Sequence, residues 1–417
     1  MALWHINGGN RLEGTCLVQG SKNAVLPMLA ASVIAGADTE LMNVPVLSDV
    51  DVSLQILRNL GCTAMQNGND VYINSKELSD NHIPCEMMKS MRSSVLFMGA
   101  LLARCGEVHM CAPGGCMLGE RPIDIHLDVM RRLGADVRCN DSEIICRAEK
   151  LKGTRIELPF RSVGATENAM LAACGAEGIT EIYGAAMEPE IVDLQEYLRK
   201  LGAYMSGAGT DRIIVRGFSS DSHVGHRVIP DRIVASTILC AAASTGGDVE
   251  LIGVAPQHFS QIQHFLNAAG CDIISGKRNV RLSSNGRLCH VDRVITAPYP
   301  GFPTDVQPLL MASLLKAEGE TLFTENIFER RFAHVPEFRR FGADIELNDR
   351  TARIKGVKKL KGTEAFAADL RGGAALLIAG LEAEGKTTVH DKGYICRGYE
   401  EFDCKLRALG ADIVMEI

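Results

Sequence analysis

Six glycines divide this 417-residue chain at nearly even intervals. Each closes a short helix-like run and precedes a small residue: ILRNLGC (Gly61), VMRRLGAD (Gly134), YLRKLGAY (Gly202), FLNAAGCD (Gly270), FRRFGAD (Gly342) and LRALGAD (Gly410). Neighbouring glycines lie 73, 68, 68, 72 and 68 residues apart. So regular a period predicts one unit of about 70 residues repeated six times. Copies that share a scaffold and differ in chemistry place function where they differ.

Each copy also holds an apolar, alanine-rich run ending in glycine, at residues 23–36, 93–106, 167–178, 233–247, 306–319 and 372–385. Alanine and leucine dominate, and the closing glycine suits a C′ cap, so each run predicts a buried helix. A strand-like run follows every time (TELMNVP, EVHMCAP, TEIYGAA, DVELIGV, ETLFTEN, TTVHDKG). The helix ending at the LGA glycine comes next, and alternating runs such as VYINS, DRIIVRG and ARIKG supply hairpin strands. The unit reads β-α-β-α-β-β, which is an α/β (α+β) fold. Helices apolar on nearly all sides need cover all round, which favours globular packing over a linear array. Six units then predict two domains of three. These are residues 22–229, and residues 230–417 joined by 1–21, whose strand would complete the sixth unit.

Hydrophobic residues make up 46% of the chain, enough for large cores. A net charge of −7 without any basic run excludes a nucleic-acid partner. No apolar stretch reaches the roughly 18–20 residues of a membrane span. The opening MALWHINGGNRLEG lacks a secretory apolar region, so the expected location is cytoplasmic. Fourteen cysteines include no CxxC pair, and Cys105, Cys174 and Cys240 sit in apolar or strand-like runs. They are expected to be reduced thiols acting as small hydrophobes. No spacing suggests a metal, and no cofactor is expected.

The six apolar runs open on Lys22-Asn23, Arg92, Thr166-Glu167, Asp231-Arg232, Asp305 and Arg371. A helix N-terminus carries open N–H groups and partial positive charge, so it attracts anions and disfavours cations. Lys22, Arg92 and Arg371 therefore stand against local preference, which points to function. One such charge would read as an ordinary solvated side chain. Three together predict an anion-binding cleft between the two domains, for substrates carrying phosphate or carboxylate. The sharpest local motif is APGGCMLGERPIDIHL, residues 112–127. Glycines on both sides of Cys116 make a loop able to present a thiol, and Arg121 is close enough to favour its thiolate and to pair with an anion.

This motif, with SKNAVLP near the start, resembles the UDP-N-acetylglucosamine enolpyruvyl transferases. The resemblance runs end to end through VPVLSDVDV, SVGATEN, EPEIVDL, SGAGTDRI, IPDRI, APYPGFPTD, ENIFERRFAHVPE, DLRGGAAL and RGYE. It implies an inside-out α/β barrel pair with the active site in the interdomain cleft, and a protein expected to be a monomer. It implies transfer of the enolpyruvyl group of phosphoenolpyruvate to the 3′-hydroxyl of UDP-N-acetylglucosamine by addition and elimination of phosphate, the first committed step of peptidoglycan synthesis. By the same resemblance Cys116 is the general acid and the target of the antibiotic fosfomycin. Asp305 takes the sugar hydroxyl proton, and Lys22 and Arg397 join them as catalytic residues. Phosphoenolpyruvate would meet Lys22, Asn23, Cys116, Arg121, Arg331, Arg371 and Arg397. The nucleotide-sugar would meet Asn23, Arg92, Arg121, Pro122, Ile123, Asp124, Ser162, Val163, Gly164, Asp305 and Ile327.

Among other polar residues, Asp231 and Glu188 are expected to be hinge or cap residues, and Asp49 either a cap or a cleft contact. Asp369 is expected to orient Arg371 or Arg397, and His126 and His334 to be structural. The chain departs from the family pattern at Cys396, where an aspartate is usual, and at Val234, Arg330, Arg161 and Met117-Leu118. These departures support an alternative reading, a catalytically weak or inactive paralogue that binds UDP-sugar as a regulatory module.

Overall fold

In this computed structural model the described residues are 2–112, 123–140, 143–219 and 223–416. They fall into two compact units: a first with residues 20–112 and 123–229, and a second with 2–19 and 230–416. The first unit is built on helices α1 (Lys22–Ala35), α2 (Phe97–Cys105) and α3 (Val163–Cys174). The second is built on α4 (Arg232–Ser244), α5 (Gln307–Ser313) and α6 (Leu370–Glu382). Within each unit the three helices pack against one another. Every residue of α4 and of α5 is buried, which is why those runs carry no polar face. The close crossing of α2 and α3 needs Gly99, because an added Cβ would lie 2.6 Å from the Asn168 carbonyl oxygen.

Around these helices the repeats recur as sheets of one order. In the first, His223–Arg227 pairs parallel with Asp38–Met42, which pairs antiparallel with Asp70–Asn74, which pairs antiparallel with Thr63–Asn67. Five sheets share this sequence of pairings. The one around Glu107–Met110 has three strands, with a His82–His109 bridge in the parallel position. Ala2–Asn7 lies between Lys386–Asp391 and Asp412–Glu416, so the chain's start supplies the missing strand of the sixth sheet. The six repeat glycines all take the left-handed backbone, with φ between 89° and 115°. A side chain there would cost about 1–2 kcal/mol, and this cost explains the period seen in the sequence.

Four details differ from the sequence expectation. The third helix begins at Val163 behind an N-cap at Ser162, so Thr166-Glu167 lies a turn inside it. Only α1 and α2 end directly on a left-handed glycine, Gly36 and Gly106. After α3, α5 and α6 the chain first makes a short parallel pairing, and Gly178, Gly319 and Gly385 then turn it at positive φ. Cys174 and Cys240 are buried thiols, but Cys105, at the end of α2, is exposed. Cys85 and Cys111 are joined as a disulfide, with Cα atoms 5.2 Å apart, because the His82–His109 bridge brings their segments side by side. Among the described residues no helix is long and apolar enough to cross a membrane.

Candidate active site

In the second unit the candidate residues gather at the heads of α5 and α6. Asp305 lies two residues ahead of α5, with its side chain 31% exposed. Its Oδ1 faces Arg331 Nη2 at 3.4 Å and its Oδ2 faces Arg371 Nε at 3.2 Å. Arg331 is fully buried; its Nε donates to the Thr304 carbonyl at 2.9 Å and its Nη1 to Asp369 Oδ1 at 3.3 Å. Asp369 caps α6, and the same Oδ1 accepts the backbone N–H groups of Arg371 and Gly372, both at 3.0 Å. Two carboxylates and two guanidiniums thus share partners. Neutralising charges inside the protein in this way offsets the several kcal/mol that burying each would cost.

This geometry bears on two sequence expectations. Arg331, expected as a phosphoenolpyruvate contact, is a buried brace between Asp305 and Asp369. Asp369 reaches Arg371 only at its backbone and places its side chain on Arg331. Arg371 is buried, which alone would lower its pKa, but Tyr399, Asp305 and Asp231 together raise it, so the guanidinium stays charged. Among the described residues Arg371 Nη1 and Asp369 Oδ2 have no hydrogen-bond partner. A buried donor left open costs about 1–3 kcal/mol, so Nη1 marks where an anion would be received.

The neighbouring residues fix this arrangement. Asp231 caps α4, accepting the N–H groups of Ile233 at 2.8 Å and Val234 at 3.0 Å. Burial pushes His334 down to about 4, and its neutral ring rests on Met311, Nε2 to Sδ 3.3 Å. His334 is structural and Asp231 a cap, as expected, and the charge of Asp231 also acts on Arg371. Glu325 escapes sequence reasoning. Its buried carboxylate accepts from Ile327 and Phe328 N–H groups at 2.7 and 3.0 Å and from Thr304 Oγ1 at 3.1 Å. It therefore ties the Ile327 segment to the residue beside Asp305. The available signal was an acid closing the strand run ETLFTEN. Arg397 is half-buried in the turn Ile395–Arg397, which buried Asp391 holds through the Tyr394 and Ile395 N–H groups at 2.7 and 3.1 Å. Cys396, where the family pattern has an aspartate, packs on Met415, Sγ to Sδ 3.6 Å.

In the first unit Lys22 opens α1, and its Nζ pairs with Asp49 at 2.6 Å, both side chains largely buried. Asp49 is thus a partner of a candidate residue. Asn23 follows, half-buried. Ser162 caps α3 by accepting from Ala165 N at 3.3 Å, so Val163 and Gly164 lie at a helix head whose N–H groups suit an anion. His126 lies against Gly164; a Cβ there would stand 3.2 Å from its ring. Asn168 fixes that ring, Nδ2 to Nδ1 2.8 Å, while its Nδ2 also donates to Val95 O at 3.0 Å and its Oδ1 accepts from Gly99 N at 2.9 Å. Burial, and then Arg92, push His126 down to about 4, so it is a neutral structural ring. Asn168 is a second residue that sequence reasoning missed, although an amide within an alanine-rich helix is a signal. Arg92 and Asp124 both act on this ring, which lies against Gly164. Ile123 is half-buried and Asp124 exposed. Glu188 stands at the N-cap position of Pro189–Leu201 without a side-chain cap bond. Cys116, Arg121, Pro122, Met117 and Leu118 lie outside the described residues.

Residues 6–406 match the family described as EPSP synthase (3-phosphoshikimate 1-carboxyvinyltransferase). The chain is 44% identical over 414 residues to UDP-N-acetylglucosamine 1-carboxyvinyltransferase 2 of Caldanaerobacter subterraneus, covering 99% of both. It is 43% identical over 412 residues to UDP-N-acetylglucosamine 1-carboxyvinyltransferase 1 of Staphylococcus aureus, covering 98% of both. Among solved structures it resembles the enolpyruvyl transferase NikO of Streptomyces tendae, with a TM-score of 0.90, 26% identity, and 99% and 98% of the two chains covered. EPSP synthase of Acinetobacter baumannii shares the fold, with a TM-score of 0.77 at 20% identity over the whole of both chains. By this family match and these full-length relatives, the chain belongs to the enolpyruvyl transferase family that includes EPSP synthase and the UDP-N-acetylglucosamine 1-carboxyvinyltransferases.

Proposed function

We propose that this protein transfers the enolpyruvyl group of phosphoenolpyruvate to the 3′-hydroxyl of UDP-N-acetylglucosamine, releasing phosphate, as a first step of peptidoglycan synthesis in the cytoplasm. The observation that carries the chemistry is Asp305, a partly exposed carboxylate held by two buried guanidiniums. A carboxylate so held is fixed in orientation with one face open, which places it to receive the sugar hydroxyl proton. Arg371, with its open donor, receives the anionic phosphoenolpyruvate, assisted by Lys22, Asn23, Arg121 and Arg397. Arg331 acts through Asp305. Cys116 protonates the methylene carbon of phosphoenolpyruvate and the sugar oxygen adds at the adjoining carbon; the new methyl group then gives up a proton as phosphate leaves, which restores the double bond. Fixed cations around the developing charge supply on the order of several kcal/mol. The nucleotide-sugar meets Arg92, Arg121, Pro122, Ile123, Asp124, the Ser162–Gly164 helix head and Ile327. The full-length relatives of that name support this substrate pair. The protein acts as a monomer without cofactor.

The test is phosphate release from phosphoenolpyruvate with and without UDP-N-acetylglucosamine. Release that needs both substrates, and that collapses at least about 100-fold in Cys116→Ala, is expected. Release that ignores the nucleotide-sugar overturns the proposal. Fosfomycin should add once to the wild type by intact mass and not at all to Cys116→Ala.

A further inference from the structure

Tyr399 stands two residues beyond Arg397 and is almost entirely buried, at 2% exposure. The guanidinium carbon of Arg371 lies 5.4 Å from its ring centre. Its hydroxyl lies 3.0 Å from Thr237 Oγ1 in α4, and that oxygen lies 2.7 Å from the Ile233 carbonyl. The chemistry of the two ends fixes the direction of every bond. A carbonyl only accepts, so Thr237 gives its one proton to Ile233. Thr237 then offers Tyr399 only lone pairs, so the phenol donates to it. The phenol's own lone pairs are left for Arg371, which can only donate. Burial raises the Tyr399 pKa, so the proton stays in place. Gly398 permits the approach; a Cβ there would come 2.9 Å from Leu370 Cδ2 and 3.5 Å from Arg371 Nη1.

The two buried arginines are therefore held differently. Arg331 lies between two carboxylates, Asp305 and Asp369, and its charge is balanced within the protein. Arg371 has Asp305 at its Nε, the charge of Asp231 near enough to favour its ionised form, and on Tyr399 a neutral hydroxyl that favours that form as well. A neutral acceptor fixes the guanidinium plane without cancelling its charge, which stays available to an anion at Nη1. We propose that Tyr399, oriented by Thr237, is a positioning residue that sets Arg371 for the anionic groups of phosphoenolpyruvate. This inference rests on the enolpyruvyl transfer proposed above.

Steady-state kinetics of Tyr399→Phe, Thr237→Val and Thr237→Ser test it. Tyr399→Phe should raise the KM for phosphoenolpyruvate about tenfold, equivalent to about 1.4 kcal/mol. The KM for UDP-N-acetylglucosamine should stay within twofold and kcat should fall less than threefold. Thr237→Val should give a smaller rise in the same constant, Thr237→Ser should restore it, and the double variant should be no worse than Tyr399→Phe. A wild-type KM for phosphoenolpyruvate in Tyr399→Phe overturns the proposal, and so do equal rises in both KM values, as a merely structural defect would give. Calorimetric binding of phosphoenolpyruvate separates this failure from failure of the activity. If the wild type releases no phosphate, equal affinities of wild type and Tyr399→Phe still refute the relay, and an affinity loss of about tenfold supports it.

Discussion

At the heads of α5 and α6, in the second unit, four charged side chains share partners: Asp305 with Arg331 and Arg371, and Arg331 with Asp369 as well. At the helix heads of the first unit the contacts among the described residues are of another kind. Lys22 pairs with Asp49, and a neutral amide, Asn168, connects three neighbours. Both units grow from one repeat, so the contrast comes from side chains and not from backbone. Shared charges cannot be altered singly, because removing one leaves others buried without compensation. Separate contacts fail one at a time. The base of the proposed reaction belongs to the shared network, which holds it from two sides in the geometry that proton transfer requires.

Breaking the second unit's network should have the largest effect. Asp305→Ala removes the carboxylate between Arg331 and Arg371. It should cost about 3–5 kcal/mol by urea unfolding and at least about 1000-fold in phosphate release. Asp305→Asn keeps the shape and an acceptor but removes the same charge, so it should lose as much activity and most of the stability. If Asp305→Asn unfolds at the wild-type urea concentration, the charges are not coupled and the contrast between the units fails.

The first unit should respond more mildly and more locally. Asn168→Ala deletes bonds to Gly99, Val95 and His126 and should cost about 2–3 kcal/mol. Asp49→Asn keeps a hydrogen-bond acceptor for Lys22 and should cost about 3 kcal/mol, the low end for breaking a buried pair. Nuclear magnetic resonance supplies a sharper check: His126 should stay neutral from pH 8 down to pH 5, since burial pushes it to about 4. A His126 that titrates near 6.5 would mean that the Asn168 hub does not seal the ring.

What the sequence made legible follows the same contrast. The repeat was readable because its glycines must take positive φ, and the core helices because they are apolar all round. Lys22, Arg92, Asp305 and Arg371 were readable because each is placed against the local preference of a helix head or stands in a family motif. Glu325, Thr237 and Asn168 were not, because one buried carboxylate, hydroxyl or amide acquires meaning only from partners distant in sequence; Asn168 meets Gly99 69 residues away. The bracing role of Arg331 was hidden for the same reason, since nothing in ENIFERRFAHVPE reveals that its guanidinium is fully enclosed. The Cys85–Cys111 pair depends on a strand bridge that no spacing rule announces.

The last expected effects depend on pH and come from one buried glutamate in each unit, Glu167 in α3 and Glu382 in α6. Burial raises Glu382 to about 8, partly countered by Lys316, whose Nζ lies 3.4 Å from Oε2. Burial, then Glu190 and Glu188, raise Glu167 well above the ordinary value. A carboxyl whose folded pKa is raised stabilises the fold fully below its unfolded value, near 4.5. That contribution is lost as pH climbs through the folded value, because the unfolded chain ionises first. Replacing either residue with glutamine removes the dependence. Glu382→Gln should match the wild type near pH 4.5 and exceed it at pH 9, the difference growing by about 1.4 kcal/mol for each pH unit between 4.5 and 8. Glu167→Gln should gain with the same sign, and by somewhat more, because carboxylates and not a lysine surround it. Urea midpoints at pH 5, 7 and 9 decide the matter. A larger gain in Glu382→Gln would show that Lys316 does not shelter its partner, and the charge pairing that sets the second unit apart would then be confined to the heads of α5 and α6.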